Sequence, residues 1–387
     1  MEYLIEPLDA ASAAEGDLRA WYELFAATRA ADFPDFPAVS FASFAKLRRA
    51  PSFLDRGRQR AWAARATDGT LLGVGTLVYL EQEHGDWAVP QLEVSASDRR
   101  RGIGAALMRA LVADALAEGR TGLVQEQVRV GTAGERWARA VGFTETLRHC
   151  WQMLHVQQTQ QTSPGLWQVP TPPGYRLEQW TGAAPESLVT AFAVARNAIG
   201  DAPRGESAYR APTWTVERVR QAEADARAAG DEMRYVVAVH EASGEIAALT
   251  GLLLAPPRVD LCWQRDTAVV RGHRGLGLGR VVKAAMMRAL VAEYPGLGRV
   301  VTSTAADNAA MIRVNEQVGY VRSAEIAMFE AEVGQVVRAL GGSGVPRPRR
   351  EVEGVEVEGV RGPDGVRGPE TVGRVREAGE PEPLGAP

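Results

Sequence analysis

Apolar and polar positions along this chain repeat in two successive rounds of the same order. In the first round, helical spacing near Ala14–Arg29 and Phe41–Ala50 gives way to β-type runs at Ala61–Ala66 and Leu71–Tyr79, joined by the turn-forming pair Asp68-Gly69. A further run, Gln91–Ala96, leads through a basic glycine-rich segment into a helix ending near Glu118. A strand at Gly122–Val130, a helix at Gly134–Ala140 and closing strands around Gly142–Leu154 complete the round. The second round predicts helices at Pro185–Arg196 and Thr215–Ala229, and strands at Tyr235–Ala242 and Ile246–Leu254 flanking Ser243-Gly244. A strand at Cys262–Val269, a helix to Tyr294, a strand at Val300–Thr304, a helix at Ala309–Gln317 and closing strands follow. This order predicts an α/β (α+β) protein of two domains, each a mixed twisted sheet flanked by helices.

The expected bounds are 1–156 and 175–335. Between them, residues 157–174 are rich in Gln, Thr and Pro and read as a linker. Residues 336–387 combine Gly, Pro and mixed charge with few large apolar side chains, a composition that predicts disorder because little surface can be buried against the chain entropy.

A length of 387 residues suits two cores plus a tail. The net charge of −4 gives no footprint for nucleic acid, so the arginines at 99–101 and between Arg271 and Arg280 point to a small anionic ligand. Two cysteines, Cys150 and Cys262, exclude a disulfide framework and a cysteine metal site, and no metal is expected. The N-terminus Met1-Glu-Tyr-Leu-Ile-Glu-Pro lacks a signal-peptide pattern, and no apolar run reaches the ~20 residues of a membrane helix. The expectation is a cytoplasmic monomer or homodimer without membrane contact.

The chemistry concentrates in Asp266-Thr-Ala-Val-Val-Arg-Gly-His-Arg-Gly-Leu-Gly-Leu-Gly-Arg280 and in Glu93-Val-Ser-Ala-Ser-Asp-Arg-Arg-Arg-Gly-Ile-Gly-Ala-Ala-Leu107. Each runs from a strand through an Arg-Gly loop into a helix. Glycines let the backbone approach a ligand and point successive N–H groups into one concavity, to which the helix N-terminus adds positive potential. That is a pyrophosphate cradle. Neither copy fits G-x-G-x-x-G or a Walker loop. Both fit R-x-x-G-x-G/A, read here at Arg101, Gly104 and Ala106, and at Arg274, Gly277 and Gly279. An acid precedes each motif arginine by eight residues, Glu93 in one copy and Asp266 in the other.

The pattern resembles the acetyl-CoA-binding signature of the GCN5-related N-acetyltransferase (GNAT) superfamily, and the resemblance covers most of residues 3–333. It implies two GNAT-like domains in which the fourth and fifth strands of a mixed sheet splay apart to admit the cosubstrate acetyl-CoA. The fourth strand of each sheet would be Thr267–Val270, and Val94–Ser97 in the first copy. Strand N–H groups around Val269 and Val270 would meet the thioester, and the loop from Gly275 through Leu276, Gly277, Leu278 and Gly279 to Arg280 would hold the pyrophosphate with Arg274. Asn308 matches a family asparagine that bonds the pantetheine arm. In the first copy Arg101, Gly102, Gly104 and Ala106 would form the cradle. The family's thiolate-protonating tyrosine falls on Asn315 in copy two and Ala138 in copy one. Asparagine donates a hydrogen bond but transfers no proton at neutral pH, so the general acid stays open. The first copy lacks both the asparagine and the tyrosine, which leaves it either binding the cofactor without chemistry or only supporting its partner, and assigns the chemistry to the C-terminal half. Asp266 is the candidate base there, with Asn315 beside it; the plainer alternative is that Asp266 orders the strand end or pairs with an arginine such as Arg265. His273 reads as a phosphate contact or helix-start residue, and Cys262 as core. The function implied is acetyl transfer from acetyl-CoA to a small-molecule or peptide amine. The alternative is a non-enzymatic acetyl-CoA-binding regulator.

Overall fold

The computed structural model describes residues 2–36, 38–49, 56–208, 210–255 and 258–341. The first half runs β1 (Tyr3–Pro7), α1 (Glu15–Asp32), α2 (Phe41–Arg49), β2 (Arg56–Ala66), β3 (Leu71–Leu80), β4 (Trp87–Val94), α3 (Ile103–Ala117), β5 (Gly122–Arg129), α4 (Ala133–Ala140), β6 (Thr144–His155) and α5 (Val156–Thr162). The second runs β7 (Tyr175–Thr181), α6 (Val189–Arg196), α7 (Val216–Ala229), β8 (Glu232–His240), β9 (Ile246–Ala255), β10 (Arg258–Val269), α8 (Leu278–Glu293), β11 (Arg299–Ala305), α9 (Ala309–Glu316), β12 (Val321–Glu332) and α10 (Val333–Ala339).

The twelve described strands form one sheet in the order β1-β2-β3-β4-β5-β12-β6-β11-β10-β9-β8-β7. Helices cover both faces, which explains why β3 is buried almost end to end instead of alternating. α1 packs on one side of β3 and α3 on the other. α7 begins at Thr215, whose side chain accepts the Arg218 N–H at 3.2 Å, and ends at Gly230 with φ +67°. Both ends thereby satisfy otherwise orphaned backbone groups.

The two halves interleave. β6, the last strand of the first half, pairs with β11, and β12, the last strand of the second, pairs with β5; β6 and β12 also pair with each other. Each half-sheet is therefore closed by a strand from the other half. The segment after each exchanged strand follows it across. Trp167, in the stretch expected to be a bare linker, is buried with Val156 in the core beneath α8 and donates its indole N–H to Val318 O at 2.9 Å. α5 occupies part of the same stretch. At the other end, α10 runs past the boundary drawn at 335, burying Val336 and Leu340 with α3 residues. Arg109 of α3 donates to Leu340 O at 2.8 Å. Burying side chains of this size is worth about 1.5–3 kcal/mol each, so these segments stabilise the halves they join. The predicted disordered tail beyond residue 341 lies outside the described residues.

Two parallel ladders break off early. β4 meets β5 only at Trp87–Ala88 against Gly122–Leu123, although β4 continues to Val94. β10 meets β11 only at Leu261–Trp263 against Arg299–Val301, although β10 continues to Val269. Beyond those points each pair diverges and leaves one edge of β4 and of β10 without a strand neighbour.

Candidate functional site

At the end of each splayed strand the chain makes a short 3-10 turn, Ala96–Asp98 or Arg271–His273, and then enters α3 or α8. Gly102 and Gly277 are the N-cap residues, with φ of +84° and +74°. The left-handed conformation favours glycine at both positions. The preceding positive φ belongs to Arg100 in the first half and Gly275 in the second. Ser95 N–H bonds Leu72 O at 3.0 Å as Val270 N–H bonds Ala247 O at 2.9 Å. Arg99 Nε donates to Val94 O at 3.3 Å as Arg274 Nε donates to Val269 O at 3.0 Å.

These matches fix the correspondence between the cradles. Arg99 corresponds to Arg274, Gly102 to Gly277 and Gly104 to Gly279. The first motif is thus Arg99-x-x-Gly102-x-Gly104, two residues earlier than the sequence pattern placed it. Arg101 pairs with Asp98 instead of heading the loop. Ala106 lies inside α3, its N–H bonded to Gly102 O. The expected fourth strand at Val94–Ser97 stops at its first residue.

The corrected register changes the acids as well. Counting back along β4 and β10, Glu93 matches Ala268, and Asp266 matches Gln91. The second half has no carboxylate at the position of Glu93. The Glu93 Oε2 accepts the Trp21 indole N–H at 2.7 Å, and Oε1 lies 3.6 Å from Arg48 Nη2. Arg48 in turn stacks on Trp21 and Phe44. The Glu93 side chain is 16% exposed. Burial holds its pKa above the usual carboxylate range, against the opposing pull of Arg48 and Trp21.

What exposure Glu93 retains opens on a cavity of about 380 Å³, walled by α1, β4 and β5. A second cavity of about 360 Å³ lies over the cradle, against Arg99, Gly102, Ile103 and Gly104. The two share Asp32, Leu92, Val94, Arg99, Gly134 and Trp137 in their walls. Together they run from the Arg99–Gly104 loop along the splayed edge of β4 to Glu93. Because Ser95 bonds β3, the main chain of Val94 and Leu92 faces the splay, and Val94 O already accepts from Arg99 on that side. The slot could hold the phosphate and pantetheine arm of an acyl-CoA, with Arg99 and Arg100 at the loop beside Asp32 and Asp98, and apolar and peptide groups along the arm. Trp137, Trp21 and Arg48 are functional candidates that the sequence pattern did not single out, and Arg99, read there only as part of a basic patch, takes the motif position given to Arg101. Trp21 carries only core-face helical spacing, and nothing in the sequence joins it to Glu93.

In the second half the residues predicted for the site are dispersed. Asp266 is 40% exposed and ion-pairs with Arg196, 3.4 Å away, rather than with Arg265. Arg196 is buried on Trp214 and Phe192. The Val270 N–H is taken by β9, so of Val269 and Val270 only Val269 presents its main chain to the splay. Leu276 is exposed, and Leu278, Gly279 and Arg280 form the first turn of α8. Arg274 binds Asp201 at 2.7 Å. Asn308 caps α9, its Oδ1 accepting the Met311 N–H at 3.1 Å. Asn315 is 0% exposed, and its amide donates to Gln152 at 2.8 Å and Thr304 at 3.1 Å. It serves the core here, tying α9 to the exchanged strand β6. His273 bonds the Tyr175 hydroxyl at 2.8 Å. Cys150 and Cys262 are buried free thiols.

The second half also buries Lys283, 1% exposed, beneath its splay. Its Nζ donates to Gln264 Oε1 at 2.8 Å, and Tyr320 donates to the same oxygen at 2.5 Å. With no carboxylate beside it, burial pushes the ammonium pKa down to about 7.

Among the described residues no helix is long and apolar enough to cross a membrane, and no group of three His, Cys, Asp or Glu could hold a metal ion. The acetyltransferase (GNAT) family matches residues 18–150 and 203–320, one region in each half. The fold is shared with a tandem GNAT protein from the clavulanic acid biosynthesis pathway solved without AcCoA, at 23% identity and TM-score 0.69 over 86% of this chain and 99% of that one. It is shared too with a GCN5-related N-acetyltransferase from Sphaerobacter thermophilus, at 15% identity and TM-score 0.63 over 86% and 96% of the chains. No curated protein matches the chain in sequence.

Proposed function

The chain belongs to the acetyltransferase (GNAT) family, and from that premise we propose that it transfers an acyl group from acyl-CoA to a primary amine in its N-terminal half. The observation that carries the assignment is Glu93, a largely buried carboxylate in the wall of a cavity that joins the cradle slot. Burial raises its pKa, which strengthens the carboxylate as a proton acceptor. Trp21 and Arg48 fix its orientation.

In this reading Arg99, Arg100 and the N-terminal N–H groups of α3 bind the pyrophosphate. The arm lies along the free edge of β4, and a main-chain N–H there meets the thioester oxygen, where negative charge develops. Glu93 takes a proton from the acceptor ammonium, and the freed amine attacks the thioester carbon. The C–S bond breaks, and the departing thiolate takes up the second proton that the nitrogen loses as the neutral amide forms. A thiol with an ordinary pKa of about 8.5 leaves without a strong acid, so Ala138 in the family's tyrosine position does not forbid the reaction.

Thiol release from acetyl-CoA should rise above background with a panel of primary amines, and mass spectrometry should find each consumed amine heavier by one acetyl group. Binding of acetyl-CoA with no thiol release from any amine would leave a binding protein rather than an enzyme.

A further inference from the structure

The walls of the Glu93 cavity carry a chemical bias that bears on what enters it. Resting on the N-terminal assignment above, we infer that the acceptor is a small primary amine that also carries an acidic group, an amino acid in the simplest case.

Four arginines line this cavity, Arg29, Arg48, Arg99 and Arg129, against the carboxylates Asp32, Glu93 and Glu126. Arg48 neighbours Glu93, and Arg99 reaches Asp32 at 3.5 Å. Arg29 and Arg129 flank the Phe33 ring, their guanidinium carbons 4.6 and 5.9 Å from its centre. Arg129 is held in place by the Asp32 carbonyl at 3.2 Å and reaches the half-exposed Asp35 at 3.5 Å. A guanidinium braced by a backbone carbonyl and an aromatic face is preorganised to receive a carboxylate as a bidentate pair.

The remaining polar wall supplies amides, Gln91, Gln125 and Gln127, rather than further anions. A polycationic acceptor such as a polyamine or aminoglycoside would meet four arginines, whose partners Asp32, Asp35 and Glu93 are already engaged. An amine with an acidic group meets complementary charge at both ends, and a cavity of about 380 Å³ suits a molecule of that size. Arg129 ends β5 where the second half ends β11 with Ala305. The guanidinium and the carboxylate Glu93 thus occur together, in the same half, where the other half has alanine at both positions.

The test uses the full chain with acetyl-CoA and a panel of amino acids, their C-terminal amides and spermidine, followed by thiol release. Titration calorimetry of N-acetyl amino acids against N-acetyl amino acid amides supplies a readout independent of turnover. At least one amino acid should exceed its amide by 10-fold or more in kcat/KM, with the same order in binding. Arg129→Leu should bring that ratio toward one by raising KM for the acid, and Arg129→Lys should keep part of it. Equal handling of acids and amides, or a preference for spermidine, would overturn the inference while leaving acyl transfer intact. Selective binding of N-acetyl acids with no turnover of any amine would support the inference and overturn the proposed activity.

Discussion

The two halves share a cradle, a splayed strand pair and an order of elements, yet they place chemistry differently on that frame. In the N-terminal half, the last face-directed position of β4 before the cradle is a carboxylate fixed by Trp21 and Arg48 beside a cavity. At the same position of β10 stands Ala268, buried among the α6 and α7 side chains. The nearest acid on that face, Asp266, is engaged by Arg196. The two halves share the part that backbone geometry supplies, a glycine-lined loop at a helix N-terminus. Side chains that act on the reacting atoms were free to diverge, because neither the fold nor the cradle depends on them. In the C-terminal half Asn308, the residue expected to bond a pantetheine arm, spends its Oδ1 on a helix cap.

The cradles offer the most forceful way to break this comparison. Gly104→Asp puts a side chain and a negative charge at the mouth of the N-terminal slot, and Gly279→Asp does the same in the C-terminal half. The first should raise the acetyl-CoA KM by something like 10²-fold or more, since it opposes a diphosphate at a helix N-terminus. The second should leave turnover within a few fold. Steady-state kinetics with thermal melts of both variants checks this, and an equal loss in two folded proteins would remove the asymmetry.

A smaller effect sharpens what the C-terminal half is for. Lys283 has its pKa depressed to about 7 in the folded protein, below the 10.5 of the exposed side chain. The unfolded chain therefore binds one more proton between those values, and this site makes stability rise as pH climbs from about 7 to 10.5. Lys283→Met removes that penalty and should stabilise the protein by about 3 kcal/mol at pH 7, less at pH 10, because a buried unpaired cation is costly. Denaturant melts across that pH range provide the measurement. A Lys283→Met protein that is less stable at pH 7 would show that the Lys283–Gln264–Tyr320 cluster holds the half together instead of straining it.

The repeated order of elements and both cradles were legible in the sequence because they rest on local signals, period and glycine placement. The register of the first cradle was not. Arg99-Arg-Arg-Gly-Ile-Gly-Ala-Ala106 contains two overlapping matches to the same motif, and only the backbone shows that Arg99, not Arg101, reaches back to its strand. A two-residue slip keeps every side chain on its face, so nothing in the apolar pattern flagged it. It did pair Glu93 with the wrong acid and turned attention to Asp266. The exchange of β6 and β12 was equally hidden, since alternation marks a strand without naming its neighbour. The Asn315–Gln152 bond joins residues far apart in sequence across that exchange.

The claim that the N-terminal half carries the chemistry meets its most direct test in the pH dependence of kcat/KM for three proteins, the parent chain, Glu93→Gln and Asp266→Asn. The base works only when ionised, so the parent rate should rise with pH through a limb set above the usual carboxylate range. Glu93→Gln should lower kcat by roughly 10²–10⁴-fold and flatten that limb, with acetyl-CoA affinity changed little, because the cradle and β4 edge are untouched. Asp266→Asn should keep the parent profile within a few fold. The opposite pattern, a near-normal Glu93→Gln and a crippled Asp266→Asn with its acid limb gone, would place the reaction in the C-terminal half and contradict the account.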